Sequence, residues 1–322
     1  MRDHGGNIDW AIRTYGGAAE DWIDLSTGIN RVPYPLPMLE AEAWTQLPTR
    51  AAQDRLIEAA SAACGTEAAI LPVAGAQAAI QMIPRLSAPG RAAVLSPTYN
   101  EHAACLRAAG WQVSEGADLT SLAGADLAVV VNPNNPDGRT YAPADLLELS
   151  GQVGRLVIDE SFADPRPDLS IAAEAGRNGL LVLRSFGKFY GLAGLRLGFV
   201  LGARADIAAL SAMAGPWPVS GAAIGIGCAA LADREWATAT IRRLTEDCVR
   251  LDALARTRGW PLVGGGALFR LYQVPDAQAA QAHLARHRIW SRIFPARSGW
   301  IRLGLPSPDE WPQVQTAFED RG

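Results

Sequence analysis

Apolar residues along this chain come in two rhythms. At 91–95, 125–131, 154–158 and 180–183 they form short, nearly unbroken runs of Ala, Val, Leu and Ile, the pattern of strands buried on both faces of a parallel sheet. Around these runs, at 51–63, 76–83, 101–109, 144–150 and 206–214, the composition and spacing predict helices, several of them Ala-rich and ended by glycine or proline. Strand and helix in alternation predict an α/β fold with a mostly parallel central sheet and helices on both faces.

After Pro216-Trp217-Pro218 the rhythm changes. A helical stretch at 222–257, split near Ala232-Asp233, is richer in charge and reads as a connector. Beyond it, strands near 267–272, 290–294 and 300–303 and helices at 277–286 and 310–318 predict a smaller α+β lobe. Gly264-Gly265-Gly266 reads as a tight turn or a close backbone approach, since no alternating glycine pattern opens a helix there. At the other end, the first forty residues show little periodicity. Pro33, Pro35 and Pro37 keep the backbone extended before a short helix near 39–43. The predicted organisation is an arm at 1–30, either surface wrapping or a strap over an active site, then a large domain at 31–215. A connector helix and small C-terminal domain follow at 216–322.

Composition narrows the class. The 322 residues suffice for a large core in two lobes. Lys+Arg 29 against Asp+Glu 33 leaves a formal charge of -4, which argues against a general nucleic-acid binder with its basic face. No apolar run approaches the roughly 20 residues of a membrane span, and the opening Met1-Arg2-Asp3-His4-Gly5-Gly6 lacks the apolar core of a secretory signal. A cytoplasmic protein without a membrane partner is expected. Cys64, Cys105, Cys228 and Cys248 are too scattered for a metal site or a disulfide framework and read as buried apolar residues. No metal is expected.

Open α/β sheets hold ligands at the carboxyl ends of their strands, and polar residues gather at those ends here. The 180–183 run empties into Ser185-Phe186-Gly187-Lys188, with Arg196 eight residues beyond the lysine. Lys188 reads either as a solvated loop lysine or as one whose amine forms a Schiff base with an aldehyde cofactor. Pyridoxal phosphate is such an aldehyde, and each part of it has a candidate partner. Asp159 pairs with a protonated ring nitrogen, or else caps the next turn. Asn135, in Asn132-Pro133-Asn134-Asn135-Pro136-Asp137-Gly138, donates to the ring oxygen or supports its own turn. Tyr99 stacks on the ring or sits in the core. His102, at helical spacing from it, orients Asp159 or Tyr99 or is a satisfied buried histidine. Ser185, Arg196 and the helix-start N–H groups of Ala76 and Gln77 grip the phosphate. Arg302, on a short strand of the smaller lobe, suits a bidentate pair with a substrate carboxylate or is a surface arginine.

In this order the motifs resemble, over nearly the whole chain, the fold-type I pyridoxal-phosphate enzymes of the class I/II aminotransferase type. Ser185-Phe186-Gly187-Lys188 with Arg196, the Asn132–Gly138 turn, Asp159-Glu160-Ser161-Phe162 and Ile301-Arg302-Leu303-Gly304 carry the resemblance. It implies an aspartate-aminotransferase-like fold and a homodimer with its active site at the subunit boundary. Within the family the chain resembles the histidinol-phosphate aminotransferase branch, and inside it is most similar to the threonine-phosphate decarboxylases of cobalamin biosynthesis. That likeness rests on His4-Gly5-Gly6-Asn7, on the 24–30 stretch from Asp24 to Asn30, and on Arg302-Leu303-Gly304-Leu305-Pro306. It implies catalytic roles for Lys188, Asp159 and Tyr99, and substrate contacts from His4, Gly5, Asn30, Arg31, Arg292 and Arg302. The implied reaction converts L-threonine O-3-phosphate to (R)-1-amino-2-propanol O-2-phosphate and carbon dioxide. An aminotransferase acting on histidinol phosphate or a related amino acid is the alternative, and a non-catalytic member is a third.

Three departures from the family pattern bear on this. Phe162 stands where most aminotransferases of the family have a tyrosine that donates to the ring oxygen, and the decarboxylase-like members share the phenylalanine. Leu47, in Gln46-Leu47-Pro48-Thr49, replaces a tyrosine that reaches the neighbouring subunit's cofactor phosphate. Arg288-Ile289-Trp290 replaces a Gly-Ile-aromatic turn, with Arg292 retained.

Overall fold

The computed structural model, which describes residues 5–320, turns the unbroken apolar runs into the middle of a seven-stranded sheet. In chain order its strands are Ala69–Val73 (β1), Arg91–Leu95 (β2), Gln112–Gly116 (β3), Leu127–Val131 (β4), Leu156–Asp159 (β5), Leu180–Ser185 (β6) and Gly198–Gly202 (β7). They lie in the order β1-β7-β6-β5-β4-β2-β3. Neighbours from β6 to β3 are parallel, whereas β7 runs antiparallel to both β6 and β1. Every residue of β4 is buried, so both faces of the sheet centre are covered and the run shows no alternation.

On one face, Ala79, Ile80, Ala103, Leu106, Ile207 and Leu210 pack against Val94, Val129, Val157, Leu181 and Val200 in a single core. The first six come from helices Ala76–Met82, Glu101–Ala108 and Arg204–Ala214. The edge strand β3, Gln112-Val113-Ser114-Glu115-Gly116, was not expected from its sequence. It has a single neighbour in the sheet and no buried residue, so nothing selects for an apolar run.

By compactness the chain falls into two units. Tyr34–Asn135 with Thr140–Trp236 holds the large sheet, and Met1–Pro33, Pro136–Arg139 and Ala237–Gly322 form the second. The expected break near 232–233 is present, between helices Gly221–Ala232 and Arg234–Thr257. The unit boundary, however, falls inside the second of these helices, and the first groups with the large sheet.

The second unit is built on an antiparallel sheet of Leu262–Gly266 (β8), Phe269–Gln273 (β9), Arg292–Phe294 (β10) and Arg297–Gly304 (β11), ordered β10-β11-β9-β8. Gly264-Gly265-Gly266 is part of β8, which corrects the turn expectation. The close approach is real, because a Cβ on Gly264 would strike the Asp137 carbonyl and one on Gly265 would lie 2.5 Å from the Phe269 carbonyl oxygen.

The N-terminal stretch is also more regular than its sequence suggests. It contains the helix Ile8–Tyr15, whose Asn7 cap accepts from the Trp10 N–H, and the strand Ile23–Asp24 paired in parallel with Ile289–Trp290. Ala11, Trp22, Ala285 and Trp290 form a small core there. The four cysteines are unbridged and half-buried rather than fully buried. No helix among the described residues is long and apolar enough to cross a membrane.

Candidate active site

The carboxyl ends of β4, β5 and β6 deliver their chains to one cavity of about 140 Å³. Lys188, Asp159, Tyr99, Asn135, Ser185, Arg196, Ala76 and Gln77 all line it. Eight residues scattered over more than a hundred positions of sequence are thereby brought together, as the strand-end rule requires.

Asp159 closes β5 and is 3% exposed. Its Oδ2 accepts from His102 Nε2 at 2.7 Å, and its Oδ1 accepts from the Ser161 N–H at 2.9 Å and the Ser161 hydroxyl at 2.5 Å. Burial pushes the carboxyl up, but the hydrogen bonds and charge of His102 and the bonds from Ser161 outweigh it and hold the group below the usual carboxylate range. Asp159 is therefore a fixed negative charge in a dry place. His102 is the residue that orients it, while its ring meets Tyr99 edge-on with centroids 6.1 Å apart.

Lys188 sits in the one-turn helix Phe186–Phe189, which continues directly from β6. The turn is tight enough that a Cβ on Gly187 would lie 2.8 Å from Ala193 Cα. The ammonium nitrogen is 5.8 Å from the centroid of Phe162, which also lines the cavity. Arg196 adopts φ 57°, uncommon for a side chain other than glycine. A Cβ on Gly75 would lie 2.7 Å from Arg196 Nη2, and Gly75 itself has φ 75°. The glycine thus lets the guanidinium lie against the start of helix Ala76–Met82. A guanidinium, the Ser185 hydroxyl and backbone N–H groups gathered in this way suit a multiply charged oxyanion.

Tyr99 donates to Gln77 Oε1 at 3.2 Å. Burial first, then the charges of Glu101 and Asp159, push its hydroxyl up to about 12, so it stays a neutral donor with a flat apolar face. In the turn after β4 the asparagines divide their work. Asn132 exchanges hydrogen bonds with the Tyr141 backbone, and Asn134 donates to the Pro97 carbonyl and accepts from Thr98. Asn135 is the one that lines the cavity. A buried ionised carboxylate, an oxyanion cradle, a lysine amine and a flat aromatic together fit pyridoxal phosphate.

The predicted substrate residues lie in the smaller unit. Arg302 is 6% exposed and donates from Nη2 to the Ser26 carbonyl at 2.7 Å. It stands directly across from Arg292 in the β10–β11 register. Burial, then the Arg292 charge, push its guanidinium down to about 10, with Asp24 opposing. Arg31 makes a forked pair with Glu310, Nε to Oε2 at 2.7 Å and Nη2 to Oε1. Asn30 is buried and accepts from Arg243 at 2.6 Å. A side chain on Gly5 would run into the Ser26 carbonyl, and Gly6 N–H donates to Ser26 Oγ at 2.7 Å. His4 lies outside the described residues.

Sequence reasoning gave no role to Ser161, Gly75, Arg243 or Glu310. Ser161 was findable from the Asp-x-Ser spacing, since Asp side chains bond their own backbone two residues on. Glu310 and Arg243 had no such signal. They meet Arg31 and Asn30 from 279 and 213 positions away.

The family described as aminotransferase class I and II matches residues 20–314. A threonine-phosphate decarboxylase of Pseudomonas aeruginosa is 44% identical, covering 99% of this chain and 97% of its own length. Another threonine-phosphate decarboxylase, from a Sinorhizobium species, is 43% identical over 95% of this chain and 93% of its own. Among solved structures, histidinol-phosphate aminotransferase from Sinorhizobium meliloti in complex with pyridoxal-5'-phosphate superposes with a TM-score of 0.80 at 20% identity, covering 96% of this chain and 93% of that one.

Proposed function

This chain belongs to the class I and II aminotransferase family, and on that premise we propose that it is a pyridoxal-phosphate-dependent carboxy-lyase. Its substrate is L-threonine O-3-phosphate, and its products are (R)-1-amino-2-propanol O-2-phosphate and carbon dioxide, a step of cobalamin biosynthesis. The observation that carries the reading is the single cavity holding Lys188, the ionised Asp159 and the Ser185–Arg196 cradle. The choice of decarboxylation is supported by the two relatives of that name, near 44% identity over almost the full chain. Phe162 beside Lys188 adds to it.

When bound, the cofactor supplies an electron sink for the pair released at the substrate Cα. The protein supplies the rest. Lys188 would provide the amine that attaches the cofactor and, once displaced and protonated, would be a donor of the proton that replaces the departing carboxylate at Cα. Asp159 would keep a proton on the ring nitrogen by holding a negative charge toward it. Tyr99 would cover the ring face, Asn135 would donate to the ring oxygen without help from a phenol at position 162, and Ser185, Arg196 and the N–H groups of Ala76 and Gln77 would hold the phosphate. Arg292, Arg302, Arg31 and Asn30, with Gly5 and His4, are assigned to the substrate's anionic groups. Two arginines in register on neighbouring strands support that assignment, because a guanidinium's planar fork matches a carboxylate or phosphate. Orienting the substrate's carboxylate through these residues is what would select loss of carbon dioxide.

The working form is a cytoplasmic homodimer. Leu36, Met38, Trp44 and Leu47, all more than 60% exposed, are the kind of apolar surface a second copy covers.

The test gives purified holo-protein threonine phosphate with and without 2-oxoglutarate and follows carbon dioxide and the phosphorylated amine. The reading predicts both products in equal amounts without the keto acid. Turnover that requires 2-oxoglutarate and releases no carbon dioxide would instead establish an aminotransferase.

A further inference from the structure

A second set of charges is buried behind the cavity, on the reverse of the same two strands. Side chains alternate from face to face along a strand. Arg184 in β6 and Glu160, which follows the last residue of β5 and still bonds to Leu183, neighbour Ser185 and Asp159 in sequence and do not line the cavity that those two line. Arg184 donates from Nη1 to Glu160 Oε2 at 2.9 Å and from Nη2 to Asp164 Oδ1 at 2.6 Å. The Glu160 side chain is wholly buried and that of Arg184 is 11% exposed. Glu160 also accepts from the Ser170 hydroxyl at 2.6 Å and the Ile171 N–H at 2.7 Å.

The strands that carry this pair are parallel neighbours, with Asp159 level with Leu183 and the Glu160 N–H donating to the Leu183 carbonyl at 2.9 Å. The Arg184 fork thus spans two strand ends. One of them presents Asp159, and the other leads through Ser185 into the turn of Lys188. Burial works against the guanidinium charge, yet Asp164 and Glu160 hold its pKa well above the ordinary arginine value. A buried ion pair is a poor way to gain stability, since apolar residues of the same volume often serve as well. What a planar fork adds is fixed geometry, because it takes two carboxylates at set angles where an ammonium acts as a point charge.

We propose that Arg184, clamped by Glu160, is a positioning residue for the reaction, setting from behind the sheet the spacing between Asp159 and the Lys188 turn. The inference rests on the cofactor reading above. A single rigid ring must meet Asp159 through its nitrogen and Lys188 through its aldehyde carbon, so any error in the spacing of those two strand ends falls on the reacting atoms.

The test compares holo-protein with Arg184→Lys, which keeps the charge and loses the fork, and with Glu160→Gln, which keeps the shape and loses the anion. The readouts are the pH midpoint of the bound cofactor's visible absorption, kcat and KM for threonine phosphate, and melting temperature. For either variant that folds, the proposal expects a shifted midpoint and a kcat lower by about ten- to a hundredfold, with KM near the parent value. A variant that melts earlier but keeps the parent midpoint and kcat overturns it, because a merely structural pair would do that. Parent protein that takes up no cofactor removes the underlying reading as well, and the two failures are thereby told apart.

Discussion

Two buried charges, one in each unit, are treated in opposite ways. Asp159 is surrounded by donors from its own chain, and His102 and Ser161 keep it ionised against the pull of burial. Arg302 is as deeply buried, but burial and Arg292 together push its guanidinium down to about 10. The first is a charge settled by the fold and suited to a resident cofactor. The second lies across from a like charge, Arg292, in the strand register, a pair of cations suited to a substrate's anionic group. A permanent partner calls for a site complete in itself, whereas a substrate that must leave calls for one that its binding improves.

The sharpest way to break this comparison is to remove the settled charge. Asp159→Asn should lower kcat by about 10²–10³-fold, the scale of losing one preorganised electrostatic contact, with KM for substrate little changed. Steady-state kinetics on cofactor-loaded protein checks this, and a loss confined to KM would put Asp159 on the wrong side of the comparison. Arg302→Met should do the reverse. A hydrogen bond to a charged group is worth about 1.5–3 kcal/mol, so kcat/KM should fall roughly ten- to a hundredfold, chiefly through KM. The cofactor's absorption should be unaltered.

A pH experiment sharpens the same contrast. Because the folded pKa of Asp159 is depressed, its contribution to stability is present above the unfolded value of about 4 and is lost as pH falls through the lower folded value. His102→Ala removes the main opposing hydrogen bond, so burial raises the carboxyl. The acid limbs of activity and of melting temperature should then move to higher pH. Unchanged limbs would mean that His102 does not set the charge. The smallest effect belongs to a position outside both sites. Ser220 caps helix Gly221–Ala232 by accepting from the Ala223 N–H, and Ser220→Ala should lower stability by about 1 kcal/mol while kcat and KM stay put.

The two regions also differed in how much their sequences revealed. In the large unit, β4 to β6 were plain because strands buried on both faces read as unbroken apolar runs, and the residues after them had to converge. Asn135, Asp159, Ser185 and Lys188, which line the cavity, were legible for that reason. What stayed hidden there was either polar by position, as with edge strand β3, or non-local, as with the way Arg184 and Glu160 meet across two strands. In the smaller unit three of the five residues of β8 are glycine, so Gly264 to Gly266 read as a tight turn or a close backbone approach, and Asp137 and Phe269 show that the approach occurs within a strand. The helix Ile8–Tyr15 was missed because its packing partners, Trp22, Ala285 and Trp290, come from elsewhere in the chain. The pairing of Arg31 with Glu310 links positions 279 residues apart, which no local pattern encodes.

The account depends most on the amine at position 188. Holo-protein reduced with borohydride and digested should yield one peptide carrying the pyridoxyl group, mapped by mass spectrometry to Lys188, which is the sole lysine in the sequence. The label should disappear in Lys188→Ala. Holo-protein whose cofactor washes away unreduced, leaving Lys188 unmodified, would contradict it.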